Sequence, residues 1–252
     1  MKYITYYLSV FVVLIIIFPM LIVKGCSVNN VKPPDITEEE ESPRVSVKLL
    51  VKRENRVEEM ELEEYLRGVV AAEMPAAFET EALKAQAVAA RSYAYAKITS
   101  QEKKDEHPDV DLCSEATCCQ AWISRDEAYK KWGLISAYFY WNKIIRAVNE
   151  TRGMILTYNG MPICPLYHAN GGGRTEDATE VWAGEYQPYH VSVESRGDET
   201  GKEYTSRVEI SKKAFIERLR GRYGAFNIRE EDLPEGLKII HYTVGGRVRN
   251  ID

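Results

Sequence analysis

The sequence predicts an α+β fold: mixed helices packed on antiparallel sheet, in a single extracytoplasmic domain behind an N-terminal membrane anchor. Three observations predict it. From Tyr7 to Val23 the chain reads YLSVFVVLIIIFPMLIV, 17 residues without a charge, just long enough to span a bilayer. Between residues 62 and 150 apolar residues recur at helical spacing. Around 154–170 and 238–248 the pattern turns to strand and turn signals.

The apolar run is longer than the 7–15-residue core of a cleaved signal peptide, and no small-x-small site follows it. An uncleaved single-pass anchor is expected over 7–23, with residues 1–6 as a short cytoplasmic tail and the bulk facing outward. Cys26 follows Gly25, but Lys24 stands where a lipid-processing site wants a small residue. Residues 24–43 hold three prolines and the run EEEE, which reads as a solvated acidic linker. The folded domain is expected over 44–252, and the strand-like HYTVGGRVRNI so near the terminus suggests a domain lacking its C-terminal part. The net charge of −5 carries no basic excess, so nothing points to nucleic acid.

VSVKLLV alternates loosely as a strand, with a turn near Arg53–Asn55. Leu62, Tyr65, Leu66, Val69, Val70 and Glu73 follow at helical spacing, and Pro75 ends that helix. A second helix is predicted over about 79–97, with a face of small residues: Ala82, Ala85, Ala87, Ala89, Ala90 and Ala94. A longer helical region covers about 125–150, with Gly153 as its stop. MILTY, Asn159-Gly160 and MPICPLYHAN form a strong hairpin signal. A helix near 211–222 and a strand at about 238–248 complete the chain.

Glu73 falls on the apolar stripe, in line with Leu62, Leu66 and Val69. A carboxylate there is costly unless paired or neutral. Burial would raise its pKa, the state a general acid needs. The pattern alone also fits a solvated glutamate at a helix end. His168 leads into Asn170-Gly171-Gly172-Gly173. Glycines let a ligand lie against backbone, and exposed amides beside His168 and Asn170 suit a sugar; a plain flexible loop fits too. No Gly-Lys-Ser/Thr follows, so this is not a phosphate loop.

His107, Cys113, Cys118 and Cys119 lie within 13 residues. The spacing leaves three states open: a tetrahedral zinc site, a disulfide, or thiols. Four protein ligands would make such a zinc structural. Gln86 and Arg91 are polar groups on the alanine-faced helix, and Tyr189 in QPYH fits either core or ligand contact. Glu176 and Asp177 are the candidate second carboxylates.

LEEYLRGVVAAEMPAAFETEALKAQAVAARSYAYAKI, TRGMILTYNGMPI and YHANGGGRTEDATEVWAGEYQPY together resemble the stage II sporulation protein D family, over roughly residues 44–252. The resemblance implies a lytic transglycosylase that cuts peptidoglycan glycan strands, preferably stripped of stem peptides, during forespore engulfment. It implies partnership with a sporulation cell-wall amidase and membrane engulfment proteins, and a place in the mother-cell membrane with the domain facing the intermembrane space. The glutamate of its AAEMP motif maps onto Glu73 as the catalytic residue, and the arginine of AQAxAAR onto Arg91, expected to line the glycan groove. His168, Asn170, Gly172, Gly173 and Tyr189 are expected to bind substrate. The family also supports structural zinc on His107, Cys113 and Cys119, with Cys118 where family members carry a histidine. Ala169-Asn170 stands where relatives usually carry hydroxyl residues. Related domains activate amidases, so a non-catalytic glycan-binding enhancer is the alternative.

Overall fold

The computed structural model describes Phe11 and residues 45–252, except 101–106, 183, 185, 202 and 203. The predicted anchor and the acidic linker lie outside the described residues, Phe11 aside. Among the described residues no helix is long and apolar enough to cross a membrane. Val45–Asp252 forms one compact unit.

Strand β1 (Ser46–Val51) buries Val47, Leu49 and Val51 and turns the intervening residues outward, the period-2 pattern of a strand with one covered face. The chain reverses through Asn55, at φ 48°. It returns as β2 (Arg56–Glu61), antiparallel, with Ser46 opposite Glu61 and Val51 opposite Arg56. β2 is too charged to stand out in the sequence, and β1 recruits it through the ladder. β3 (Leu112–Cys113) joins the other edge of β1 in parallel. The sheet is therefore mixed rather than purely antiparallel, because β2 and two helices separate β1 from β3 along the chain.

Helix α1 (Leu62–Glu73) turns Leu62, Tyr65, Leu66, Val69 and Val70 into the core. It stops where expected: Met74, ahead of Pro75, is extended at φ −127° and ψ 139°. Helix α2 (Thr80–Thr99) buries Leu83, Ala87, Ala90 and Ala94, and this narrow face lets α1 and the next long helix approach closely. The helix predicted over 125–150 is two helices, α3 (Arg125–Trp132) and α4 (Leu134–Glu150). Gly133, at φ 76°, breaks it. Ser124 and Glu127 close a capping box at the start of α3. Trp141, Ile144, Ala147 and Val148 of α4 complete the core.

Beyond residue 153 the chain is thinly packed. Asn159 (φ 49°) and Gly160 (φ 80°) form the expected hairpin turn. Its strands are only β4 (Thr157–Tyr158) and β5 (Met161–Pro162). Helices α5 (Ala178–Val181) and α6 (Lys212–Arg222) follow. The single strand expected over 238–248 is a hairpin, β6 (Ile239–Tyr242) against β7 (Val248–Ile251). Gly245 and Gly246, the latter at φ 82°, turn the chain where an unbroken strand was expected.

Candidate active site and metal centre

Glu73 closes α1 and is half-buried rather than enclosed by the apolar stripe, since the helix ends at it. What lies against it is the segment 119–123. That segment reaches α1 because residue 68 is glycine: a Cβ there would stand 2.1 Å from Trp122 Nε1 and 2.7 Å from the Ile123 carbonyl oxygen. Ile123 N–H donates to the Gly68 carbonyl at 3.4 Å. Ala121 N–H donates to Glu73 Oε1 at 2.8 Å. Glu73 Oε2 makes no hydrogen bond among the described residues.

Gln120, 2% exposed, extends this arrangement. Its Oε1 accepts from the Tyr65 hydroxyl at 3.1 Å, and its Nε2 donates to the Tyr167 hydroxyl at 3.0 Å. Burial pushes the Tyr65 hydroxyl well above the usual tyrosine value. Burial first, and the Glu73 carboxylate second, push Tyr167 up to about 12. The buried Gln86 amide also bears on the Tyr167 oxygen, yet its Nε2 makes no hydrogen bond of good geometry. Tyr167 escaped the sequence reading, which stopped at its neighbour His168. A tyrosine beside a proline-flanked strand carries no chemical signal until something buried meets its hydroxyl.

The loop feeding this segment carries the metal candidates. The ligand atoms of His107, Cys113, Cys118 and Cys119 all lie within 4.8 Å of one another. His107 Nε2 is 3.4 Å from Cys118 Sγ and 3.3 Å from Cys119 Sγ, and the two sulfurs are 3.8 Å apart. A tetrahedral zinc with sulfurs at about 2.3 Å sets S···S edges near 3.8 Å and N···S edges near 3.5 Å, so the spacing fits an ion. It is far from the ~2.05 Å of a disulfide. The adjacent cysteines converge because residues 115–119 form a turn, with the amides of Cys118 and Cys119 both donating to the Glu115 carbonyl. Cys113 is anchored by β3. Burial pushes its thiol up, a penalty that a bound cation reverses. These four residues fit a metal ion.

The glycine loop is organised from within. Asp198 Oδ2 accepts from Gly171 N–H at 2.9 Å and Gly173 N–H at 3.1 Å. Gly172 N–H donates to Asn170 Oδ1 at 2.8 Å, and Asn170 Nδ2 to the Asp198 carbonyl at 2.9 Å. The amides expected to face a ligand are thus occupied by the chain's own acceptors. The bonds from Gly173 and Gly171, with the nearby His168 charge, hold the Asp198 carboxyl below its usual range despite some burial. His168, Asn170 and Gly172 keep exposed surfaces and Gly173 is half-buried.

Arg91 does not line a groove. It is 1% exposed. Its guanidinium forks onto Glu63 at 2.9 and 2.8 Å and donates to the carbonyls of Val148 and Met154. It therefore ties α2 to α1 and to the end of α4. Tyr189 is half-buried, 5.5 Å from the Tyr158 ring and 4.6 Å from the His190 ring. Both candidate second carboxylates are committed. Glu176 accepts from Thr243 Oγ1 at 2.6 Å, Gly245 N–H at 3.0 Å and Asp177 N–H at 3.1 Å, and lies 3.4 Å from Arg247. Burial opposes its ionisation, but these donors outweigh it and lower its pKa. Asp177 caps α5 through Thr179 N–H at 3.0 Å.

Residues 51–158 match the family described as "Stage II sporulation protein". This stretch holds Glu73, Gln86, Arg91, the four metal candidates, Gln120 and Ala121. The chain is 35% identical over 234 residues to stage II sporulation protein D of Bacillus subtilis, covering 87% of this chain and 67% of that protein. The chain belongs to the stage II sporulation protein D family. The protein of the same name from Bacillus amyloliquefaciens is 34% identical over 237 residues, again with 87% and 67% covered. The "Amidase enhancer" of B. subtilis is 33% identical over 133 residues, which is 53% of this chain and 15% of that protein. Within this sporulation family, the AAEMP glutamate expected from sequence is the residue whose Oε1 Ala121 holds.

Proposed function

We propose that this chain is a peptidoglycan lytic transglycosylase in which Glu73 acts first as acid and then as base. The observation that carries this is the uneven environment of the carboxyl group. Oε1 accepts the Ala121 amide, so Oε2 is the oxygen able to carry the acid's proton. The proton then rides on Oε2, which is left to meet a substrate.

Glu73 Oε2 gives its proton to the glycosidic oxygen between N-acetylmuramic acid and N-acetylglucosamine. The resulting carboxylate takes the proton of the muramyl C6 hydroxyl. That oxygen attacks C1, the glycosidic bond breaks, and a 1,6-anhydromuramyl end forms with no water consumed. Ordinary glycosidases need a second carboxylate. An internal nucleophile removes that need, in keeping with the commitment of Glu176 and Asp177 elsewhere. His168, Asn170, Gly172, Gly173 and Tyr189 contribute a glycan-facing surface. The metal is zinc, held by one imidazole and three thiolates, a donor set it favours. It closes the loop that ends in Gln120 and Ala121 and takes no part in the chemistry. The enzyme works on strands already freed of stem peptides, beside a sporulation amidase, from the mother-cell membrane.

The test is digestion of peptide-stripped glycan by the full chain and by Glu73→Gln, with products read by mass spectrometry. Anhydromuramyl ends from the wild type alone are expected. Reducing muramyl ends would mean hydrolysis instead. The likeness to an amidase enhancer favours one second reading, a glycan-binding activator. Stimulation of an amidase by Glu73→Gln, with no cleavage by the wild type, would select it.

A further inference from the structure

Tyr167 shares the Glu73 site through one dipeptide. Gln120 holds the Tyr167 oxygen and Ala121 holds Glu73 Oε1, and the Cα atoms of consecutive residues are only about 3.8 Å apart. Gln120 is itself fixed, because its Oε1 is engaged by the buried Tyr65 hydroxyl. Its amide group is therefore turned with the NH₂ toward Tyr167. Gln86 approaches the same oxygen from α2, again as an amide, 8% exposed. Only Gln120 bonds that oxygen, since Gln86 Nε2 has no hydrogen-bond partner; the phenol therefore accepts one amide proton and keeps its own. No described residue takes that proton.

We infer that Tyr167 is a second catalytic residue, a neutral phenol whose hydroxyl donates to a saccharide oxygen at the scissile bond while Gln120 holds it from behind. This rests on the glycan-cleaving reading of Glu73. The groups that face the hydroxyl are Glu73 from α1, Gln86 and Tyr93 from α2, and Gln120 from the metal loop. Burial first, then Glu73, outweigh the two amides, which favour the phenolate, and keep the hydroxyl protonated through the neutral range, so it serves as donor and not as base. Its donation requires a substrate oxygen, since Glu73 and the phenol make no direct hydrogen bond.

The experiment compares wild type, Tyr167→Phe and a chain with 3-fluorotyrosine at position 167, each full length, on peptide-stripped glycan. Tyr167→Phe keeps the ring and is expected to lower kcat about a hundredfold, the usual cost of one preorganised donor. KM should stay within about threefold, since the ring still packs. The fluorotyrosine chain restores the hydroxyl and should recover activity to within about tenfold of wild type. Tyr167→Phe at more than half the wild-type kcat would overturn the inference. So would a fluorotyrosine chain as slow as the phenylalanine variant, and that arm still decides if the latter fails to fold. A wild type that cuts nothing removes the reading of Glu73 itself, a different outcome from an active wild type with an equally active Tyr167→Phe.

Discussion

Ala121 donates its backbone N–H to Glu73 Oε1 at 2.8 Å. The donor lies two residues after the last cysteine of the metal loop, and the acceptor ends α1. The catalytic candidate is thus oriented by main chain that is positioned from outside its own helix. Glu73→Gln keeps an acceptor for Ala121 and loses only the acid. It should melt within about 2 °C of wild type and lose at least about 10²-fold in glycan cleavage. Calorimetry and the digestion assay read the two effects separately.

Gly68→Ala tests the approach of the 119–123 segment. The added Cβ meets Trp122 Nε1 at 2.1 Å and the Ile123 carbonyl at 2.7 Å. A carbonyl oxygen of packed backbone moves only with its chain. The variant should lose roughly 2 kcal/mol, a typical overpacking cost, seen as a melting temperature lower by about 4–8 °C. Cleavage should fall as well, because Ala121 is displaced from Glu73. Unchanged stability would contradict the close contact.

Arg91→Ala should be among the most damaging substitutions. The Glu63 partner, 13% exposed at the side chain, would be left without its fork. Breaking such a pair costs about 3–5 kcal/mol. The double change Arg91→Met with Glu63→Met should be milder, since it strands no charge. Denaturant unfolding of the three proteins gives the comparison. A groove role predicts the reverse: normal stability and weakened glycan binding.

The purified full chain should carry about one metal ion, read by elemental analysis. Cobalt substitution should give the intense thiolate charge-transfer bands of tetrahedral Co–S sites. A strong chelator should lower the melting temperature, because the ion closes the loop joining β3 to the 119–123 segment. Cys113→Ser should bind metal far more weakly and match the chelated protein. Undiminished stability after complete metal removal would count against a structural role.

Asp198 and Glu176 both ionise more readily folded than unfolded. Their stabilisation is therefore fully present above the unfolded values near 4, and is lost as pH falls through the lower folded values. The glycine loop and the β6–β7 hairpin should become protease-sensitive below about pH 4. Asp198→Asn should be more sensitive at neutral pH and show less further change on acidification. Limited proteolysis across pH reads this.

Local signals were legible where they coincide with local structure. The end of α1 before Pro75, the Asn159-Gly160 turn and the small face of α2 all came from short-range rules of backbone and side-chain size. The metal set was legible because four ligating side chains sit close along the chain. The break at Gly133 and the hairpin at Gly245-Gly246 were missed because each pattern continues through its glycine.

Sequence by itself determined the α+β class, the family and the identity of the glutamate at the end of α1. Tertiary structure alone decided what each polar residue faces. It turned Arg91 inward onto Glu63, gave the glycine amides to Asp198, closed Glu176 under Thr243 and Gly245, and brought Tyr167 to Gln120. The reason is physical. Helix and turn preferences act over a few residues, whereas a buried donor must find its acceptor wherever the chain brings one, here 25 to 69 positions away.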